Sequence, residues 1–355
     1  MSAATDQTTA TSPAETARAV VYTEHGDPDV LTLLARPVDA PGPGEVRVRV
    51  HRSGVNPTDW KSRRGRGPGP VDPPQVPGQD GAGVVDAVGE GVPASRVGER
   101  VWVWEAAYGR PGGTAQEYAS VPAVQAVPLP DEASFDLGAS LGIPFLTAHR
   151  CLTVTEDGPQ RLGPGTLRDR VVLVAGGAGA VGNAAIQLAR WSDATVITTV
   201  SSAEKAQHAA AAGADHVVDY TTQDVAAVVR GIAPDGVHTV VEVNPSANAA
   251  LDAAVLAPGG SVAVYANDGG DEVTFPVLGM MPVNARWQFV LVYTEPREAK
   301  LRAVDDLAAA VAAGAVRVGA VAGLPLHHHP LASTAEAHAA VEGSAVGKVL
   351  VDVVE

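Results

Sequence analysis

Residues 171–190 read VVLVAGGAGAVGNAAIQLAR, an apolar run that passes through a cluster of glycines into an alanine-rich stretch with helical spacing. The pattern Gly177-x-Gly179-x-x-Gly182 sits between a strand and a helix, the context that a dinucleotide fingerprint requires. Each glycine has an expected task. Gly177 permits a tight turn, Gly179 lets the backbone approach a pyrophosphate, and Gly182 lets the helix lie against the strand. The phosphate charge would then meet the unsatisfied amides of the helix N-terminus. In a chain with 38 glycines the bare spacing carries little weight and could mark only a tight turn. Its position between strand and helix is what gives it force.

Outward from this stretch the alternation continues. ATVITTV is followed by AEKAQHAAAAG, HTVVEV by ANAALDAAVLA, and SVAVYAN closes the series. Strand and helix repeated at this interval predict an α/β unit over residues 146–284, a doubly wound domain with a parallel sheet. Residues 18–145 have another texture: short β-runs such as EVRVRV, AGVVDAVG and ERVWVW, broken by Gly and Pro, predict a compact β-rich module. Residues 285–355 hold two helices and a last strand, KVLVDVV. These are too few for a third core, so the segment is expected to return and complete the β module. Residues 1–17, rich in Ser, Thr and Ala without a basic and then apolar order, read as a disordered tail and not as a secretory signal.

Composition excludes several function classes. A chain of 355 residues is long enough for two domain-sized cores. Its formal net charge of −15 repels a polyphosphate backbone, and 4% aromatic residues leave little for base stacking, so no nucleic acid partner is expected. The single cysteine, Cys151, excludes an internal disulfide and a Cys-rich metal cluster and fits a reducing, cytoplasmic setting; it reads as a buried small hydrophobe. No apolar run is long enough to span a membrane.

The strand after the glycines indicates which dinucleotide is bound. NAD sites place a carboxylate about 20 residues past the fingerprint, whereas here the strand ends in Ser201-Ser202 with Lys205 close behind. Two hydroxyls and a cation suit a ribose 2′-phosphate, which points to NADPH. The plainer alternative is that Ser202 caps the following helix and Lys205 is solvated.

The ordered set GVNPTDW, VPGQDGAGVV, GERVW, GGTAQEY, GIPFLTAHR, VAGGAGAVGNAAIQLA, AAGADHVVDY, APGGSVAVY and GKVLV runs from about Arg18 to the C-terminus. It resembles the medium-chain dehydrogenase/reductase superfamily, and within it the zinc-free quinone oxidoreductases related to ζ-crystallin. The resemblance implies a GroES-like catalytic domain interrupted by a Rossmann domain that binds NADPH, with the reaction in the cleft between them. It implies a pyrophosphate loop at Ala178, Gly179, Ala180 and Val181, and a 2′-phosphate region at Ser201, Lys205 and Tyr220. Further cofactor contacts are implied at Asn248, at the segment from Tyr265 through Ala266 and Asn267 to Asp268, and at Val290, Leu291 and Val292. Asn56 matches an asparagine of the active-site loop, and Thr58 beside it is expected to help orient the cofactor amide or the substrate oxygen.

Zinc-dependent relatives carry a Cys where this chain has Asn56 and a His-Glu pair where it has Gln79-Asp80, so no metal is expected. Hydride delivery to a quinone or another α,β-unsaturated carbonyl follows; an enoyl or enone reductase of a biosynthetic pathway, or an NADPH-binding protein with incidental turnover, are alternatives. Relatives place a tyrosine at the position of Lys61, which makes that lysine a candidate proton donor or oxyanion partner, with Tyr118 and Tyr108 as other candidates. Relatives also pair as homodimers through their Rossmann sheet edges. His327-His328-His329 reads as a strand-edge triplet because consecutive strand residues face opposite ways, and the basic run 62–74 as a solvated flap.

Overall fold

The computed structural model describes residues 16–267 and 269–354. The tail expected over residues 1–17 therefore lies outside the described residues as far as position 15, and Thr16 and Ala17 already belong to the first strand.

The chain enters through β1 (Thr16–His25), β2 (Thr32–Pro37) and β3 (Glu45–Val55), turns into α1 (Pro57–Arg64), and continues through β4 (Gly69–Gln75) and β5 (Asp80–Val88). β6 (Arg100–Val103), β7 (Tyr118–Pro122) and β8 (Ala126–Pro128) complete this part. In β3 the alternation of EVRVRV is realised as a period-two pattern, with Val46, Val48 and Val50 buried and the arginines between them more exposed. β1 lies between β2 and β4 in a small antiparallel sheet, while β3, β5, β6 and β8 form consecutive strands of a larger one that β7 joins by pairing with β3.

α2 (Phe135–Leu152) leads out of this module. Then follow β9 (Val171–Ala175), α3 (Ala180–Trp191), β10 (Thr195–Val200), α4 (Ala203–Ala212), β11 (His216–Asp219), α5 (Val225–Ile232) and β12 (Val237–Glu242). α6 (Pro245–Val255), β13 (Leu256–Val264), α7 (Val277–Met280) and β14 (Arg286–Phe289) finish the α/β unit. Its six strands are parallel, in the order β11-β10-β9-β12-β13-β14. The chain starts at β9 in the middle and winds outward to both sides, so the crevice at the C-terminal ends of β9 and β12 is the switch point where such sheets bind ligands. Beyond it come α8 (Arg297–Ala312), β15 (Leu326–Pro330), α9 (Thr334–Glu342) and β16 (Lys348–Asp352), and β16 pairs with β15 and β3 in the large sheet of the first module.

Three expected features move. The boundary placed between residues 145 and 146 falls inside α2, a single helix in which 15 of 18 residues are buried. Packed on both sides, it has no polar face to mark it as a helix. The boundary at residue 285 also shifts: β14 extends the parallel sheet, so only β15, α9 and β16 rejoin the catalytic module. The run 62–74 is mostly exposed, as expected, but it carries regular structure. Its first residues end α1, residues 69–75 form β4, and Arg63 is fully buried, donating to Glu342 Oε2 at 2.8 Å and to the Gly26 carbonyl at 3.2 Å.

One buried carboxylate ties these parts together. Asp80, at the start of β5, has no exposed surface. Its Oδ1 accepts from the Ile143 amide in the middle of α2 at 2.8 Å, and its Oδ2 accepts from Asn56 Nδ2 at 2.7 Å. The Lys348 ammonium of β16, itself buried, lies 3.5 Å from Oδ2 and donates to Asn56 Oδ1 at 2.7 Å. Burial pushes the Asp80 carboxyl up and the Lys348 ammonium down from their ordinary ranges, and each opposes the other's shift. Lys348→Met would remove one partner and leave a buried carboxylate facing an apolar chain. It is expected to cost roughly 3 kcal/mol of unfolding free energy, measured by urea denaturation.

Candidate active site

The glycine loop divides its tasks differently from the reading of the sequence. The left-handed backbone of the turn is at Gly176, φ +70°, and not at Gly177. Gly177 is required by packing, since a Cβ there would lie 2.1 Å from Thr198 Oγ1 of β10. At Gly182 a Cβ would lie 2.4 Å from the Gly176 carbonyl, so α3 can approach the loop only through a glycine. Gly179 differs from both. A Cβ there would meet only the Gly176 carbonyl, at an ordinary 3.5 Å, so nothing in the protein demands a glycine at this position. The side left bare is the one that a pyrophosphate must approach. Gly179 is the N-cap of α3 without a side-chain cap, which leaves the first-turn amides of Ala180, Val181 and Gly182 available to an anion. Ala178, before them, is buried.

At the end of β10, Ser201 and Ser202 are half-buried, and the strand end carries no carboxylate. Lys205 Nζ donates to Ser201 Oγ at 2.9 Å, so this lysine is held over the strand end and is not loosely solvated. Ser202 does cap α4, its hydroxyl accepting from the Lys205 amide at 3.2 Å. Tyr220 is 55% exposed, and its backbone amide bonds to the Val200 carbonyl at 3.1 Å, beside the same strand end.

Along the ends of β13 and β14 runs a cleft of about 960 Å³ lined by, among others, Tyr265, Ala266, Asn267, Val290 and Leu291. Val292, next to them, is buried. Asn267 is occupied by Ser246, whose hydroxyl accepts from its Nδ2 at 2.8 Å. Asp268, expected beside it, lies outside the described residues. Asn248 donates its amide to both oxygens of the buried Glu242, the last residue of β12, at 3.0 and 3.2 Å. Behind Glu242 stands Asp252, also buried, and burial followed by the Glu242 charge holds its carboxyl well above the ordinary range.

In the catalytic module, Asn56 is the N-cap of α1 and is 2% exposed. With Asp80 on its Nδ2 and Lys348 on its Oδ1, the amide cannot rotate without losing both bonds. Its backbone amide donates to Asp59 Oδ2 at 2.7 Å, and burial pushes that carboxyl up to about 7. Lys61 points outward: it is exposed, with its ammonium 5.5 Å from the Trp60 ring centre. Tyr118 is also remote, covered by the Arg47 guanidinium at 5.2 Å. Thr58 faces the other domain, its Oγ1 lying 2.7 Å from the Tyr293 hydroxyl in the turn after β14.

Tyr293 is buried and stacks on Tyr108, ring centres 4.8 Å apart. Close by, Lys300 of α8 donates to both oxygens of Glu105 at 2.9 Å and to the Tyr293 carbonyl at 3.1 Å, a second link between the domains. A recess of about 410 Å³ opens between Tyr22, Asp59, Ser62, Gln75, Gln79 and Tyr108. Reading the sequence missed Tyr293 and Lys348. No local pattern marks either, and Lys348 meets Asn56 across 292 residues of chain.

The positions expected to carry the zinc ligands of metal-dependent relatives are Asn56, Gln79 and Asp80 here. Two amides and one carboxylate do not fit a zinc ion, because the cation's place beside the carboxylate is already taken by Lys348 Nζ. Elsewhere, among the described residues, no group of three or more His, Cys, Asp or Glu side chains could hold a metal. The histidine triplet lies on β15, with His327 bonded to the Val346 carbonyl and His328 to Asp352, each at 2.8 Å. Cys151 is fully buried, and burial raises its thiol pKa. Among the described residues no helix is long and apolar enough to cross a membrane.

Residues 42–131 match the alcohol dehydrogenase GroES-like domain, and residues 180–312 match the family described as zinc-binding dehydrogenase. The human synaptic vesicle membrane protein VAT-1 homolog is 33% identical over 272 residues, 76% of this chain and 65% of that protein, so the match spans just under two thirds of this relative. Human quinone oxidoreductase is 30% identical over 339 residues, covering 94% of this chain and 97% of that protein. Among solved structures, the quinone oxidoreductase of Escherichia coli complexed with NADPH superposes with a TM-score of 0.77 at 26% identity, over 94% of this chain and 99% of that one. Full-length similarity, a GroES-like module and a parallel sheet with a glycine-loop switch point agree: the chain belongs to the medium-chain dehydrogenase/reductase superfamily, among its quinone-oxidoreductase-like members.

Proposed function

We propose that the protein is an NADPH-dependent oxidoreductase that delivers hydride to a quinone or another α,β-unsaturated carbonyl without a metal. The observation that carries this reading is the pairing of an open glycine cradle at Gly179 with expected metal positions that hold the Asn56 and Gln79 amides and a carboxylate, Asp80, already paired with Lys348. When bound, NADPH supplies the reactive hydride. The residues of the chain bind and orient it. The first-turn amides of α3 would hold the pyrophosphate, while Lys205 with Ser201 would neutralise the 2′-phosphate. The cleft along Tyr265, Ala266, Val290 and Leu291 would take the nicotinamide half. Asn56, fixed in one orientation, would face the reaction from below, and the recess beside Asp59 and Tyr108 would receive the body of the substrate. Asn248 supports the site only through Glu242. The solved NADPH complex of the Escherichia coli relative favours the same cofactor.

NADPH consumption against quinones, enones and enoyl thioesters tests the substrate class. The reading expects turnover with quinones or enones, and loss of the NADPH preference over NADH in Lys205→Ala by on the order of 10-fold or more, since a charge-assisted contact of about 1.5–3 kcal/mol is removed. Tight NADPH binding with no turnover on any of the three would favour a binding protein in place of an enzyme.

The glycines give an internal control. Gly179→Ala is expected to keep the wild-type melting temperature and to weaken NADPH binding, because its side is bare of protein. Gly182→Ala is expected to lower the melting temperature, because its Cβ meets backbone. Equal loss of stability in both would remove the cradle argument.

A homodimer belongs to the same reading. β14 is one of the two edges of the parallel sheet, and Phe289, Leu291 and, on α7, Leu278 expose 61, 54 and 85% of their surface. A second copy pairing edge to edge would cover them. Sedimentation equilibrium is expected to give twice the chain mass, and a monomer at micromolar concentration would remove this part.

A further inference from the structure

Apart from the cleft and the recess described above, a cavity of about 210 Å³ lies between the C-terminal end of α2, the segment that follows it and the first turns of α8. Two guanidinium groups line it, Arg150 of α2 and Arg302 of α8, and Arg150 also lines the cleft along β13 and β14. The two differ in what holds them. Arg150 is paired with Glu295, Nε to Oε2 at 2.8 Å. Arg302 has no hydrogen bond or ion pair among the described residues, although its Nε is shut off from solvent.

The carboxylates close by are taken. Asp306, one turn further along α8, lies 2.8 Å from His149 Nε2 and accepts from Arg161 Nε and the Leu162 amide, each at 2.7 Å. Glu156 on the rim is 67% exposed and paired with Arg286. With Arg150 balanced by Glu295 and Arg161 by Asp306, the charge of Arg302 is left over. An enclosed N–H needs a partner inside the cavity. Water satisfies the N–H and leaves the charge, whereas an anion answers both. The chain's net charge of −15 opposes any anion, but that field is spread over the surface and screened beyond about 10 Å at 0.1 M salt, while the Arg302 contact is direct. A guanidinium fork matches the edge of a tetrahedral oxyanion, and the exposed Gln160 on the same wall brings an amide that can donate to a further oxygen. The volume lies below the range of about 300–1,000 Å³ that drug-sized ligands fill, which limits the occupant to a small group.

We propose that this cavity binds phosphate or a small phosphate monoester, held by Arg302 and Gln160 with Arg150 as the second cation in reach, at a site separate from the glycine loop. The bound anion ties α8 to the end of α2. The site stands independently of the hydride-transfer reading.

Calorimetric titration of the full chain with inorganic phosphate at constant ionic strength tests this, in a Lys205→Ala background that weakens phosphate contacts at the end of β10. One phosphate per chain is expected, with Kd on the order of 1 mM. Arg302→Met, which keeps an apolar stem, should weaken binding on the order of 10-fold or more. Ala299→Asp, one turn before Arg302 on α8, supplies an internal carboxylate and should do the same without emptying the cavity wall. Neither change should lower the melting temperature in chloride, because Arg302 has no partner to lose. In about 20 mM phosphate the Lys205→Ala chain should gain more thermal stability than either double variant, a difference that separates binding from the general stabilising effect of phosphate salts. Tighter binding of glycerol phosphate, lost with the same two changes, would support the site and make the ester its occupant; equal or weaker binding would make it the free ion. Phosphate binding of the same strength with and without Arg302, or none up to about 50 mM, overturns the proposal.

Discussion

The Asp80 carboxylate is the constraint on which the rest of the molecule depends. A carboxylate without exposed surface is tolerated only when it is paired and fully hydrogen-bonded, and here the partners come from three segments remote in sequence: the N-cap of α1, the middle of α2 and the start of β16. Each must be in register for any of them to be satisfied. The surroundings leave no slack. Gly142 lies so close that a Cβ there would stand 2.0 Å from Asp80 Oδ1, and Gly54 approaches the Ala139 carbonyl to the same degree. Pro144 meanwhile takes one amide out of the helix ladder just beyond the amide that Asp80 receives. The crossing point of α2 over the β module is thereby set, and α2 carries the parallel sheet with it, because one hydrophobic cluster runs from Ala82 and Trp102 through α2 to Val172 and Val174 of β9.

The same group shapes the chemistry of the cleft. By occupying the Asn56 amide from one side while Lys348 occupies it from the other, it turns a flexible polar side chain into a fixed one. A fixed dipole needs no reorganisation when charge develops nearby. Two further links, Thr58 to Tyr293 and Glu105 to Lys300, join the opposite wall to this frame. Glu105 has φ +52°, a left-handed conformation that costs a non-glycine residue energy, and the two bonds from Lys300 offset that cost. The walls of the cleft are thus held at a set distance by polar contacts and not by apolar packing alone.

The alternation of β- and helical runs, the glycine spacing and the missing carboxylate after β10 are local properties. They depend on side chains a few residues apart, and a period of two or of about 3.6 expresses them directly. That is why the parallel sheet, the glycine turn into α3 and the nearness of Lys205 to Ser201 were legible in the sequence, with the turn residue displaced by one position to Gly176. Where a segment is buried on every side, as α2 is, the periodicity vanishes and with it the boundary. Where an arginine finds a carboxylate far along the chain, as Arg63 finds Glu342, one side chain of an otherwise exposed basic run is buried and no local pattern marks it.

The sequence by itself determined the class of the domains and the glycine loop between β9 and α3, because each follows from residue types at short spacing. Tertiary structure alone decided what those residues do. It sent Lys61 to the surface, turned Asn248 to Glu242, and brought Lys348 to Asn56 and Tyr293 to Thr58. The physical reason is that a buried polar group takes whichever partner the folded backbone brings within hydrogen-bond reach, and across 235 or 292 residues no local pattern records that choice.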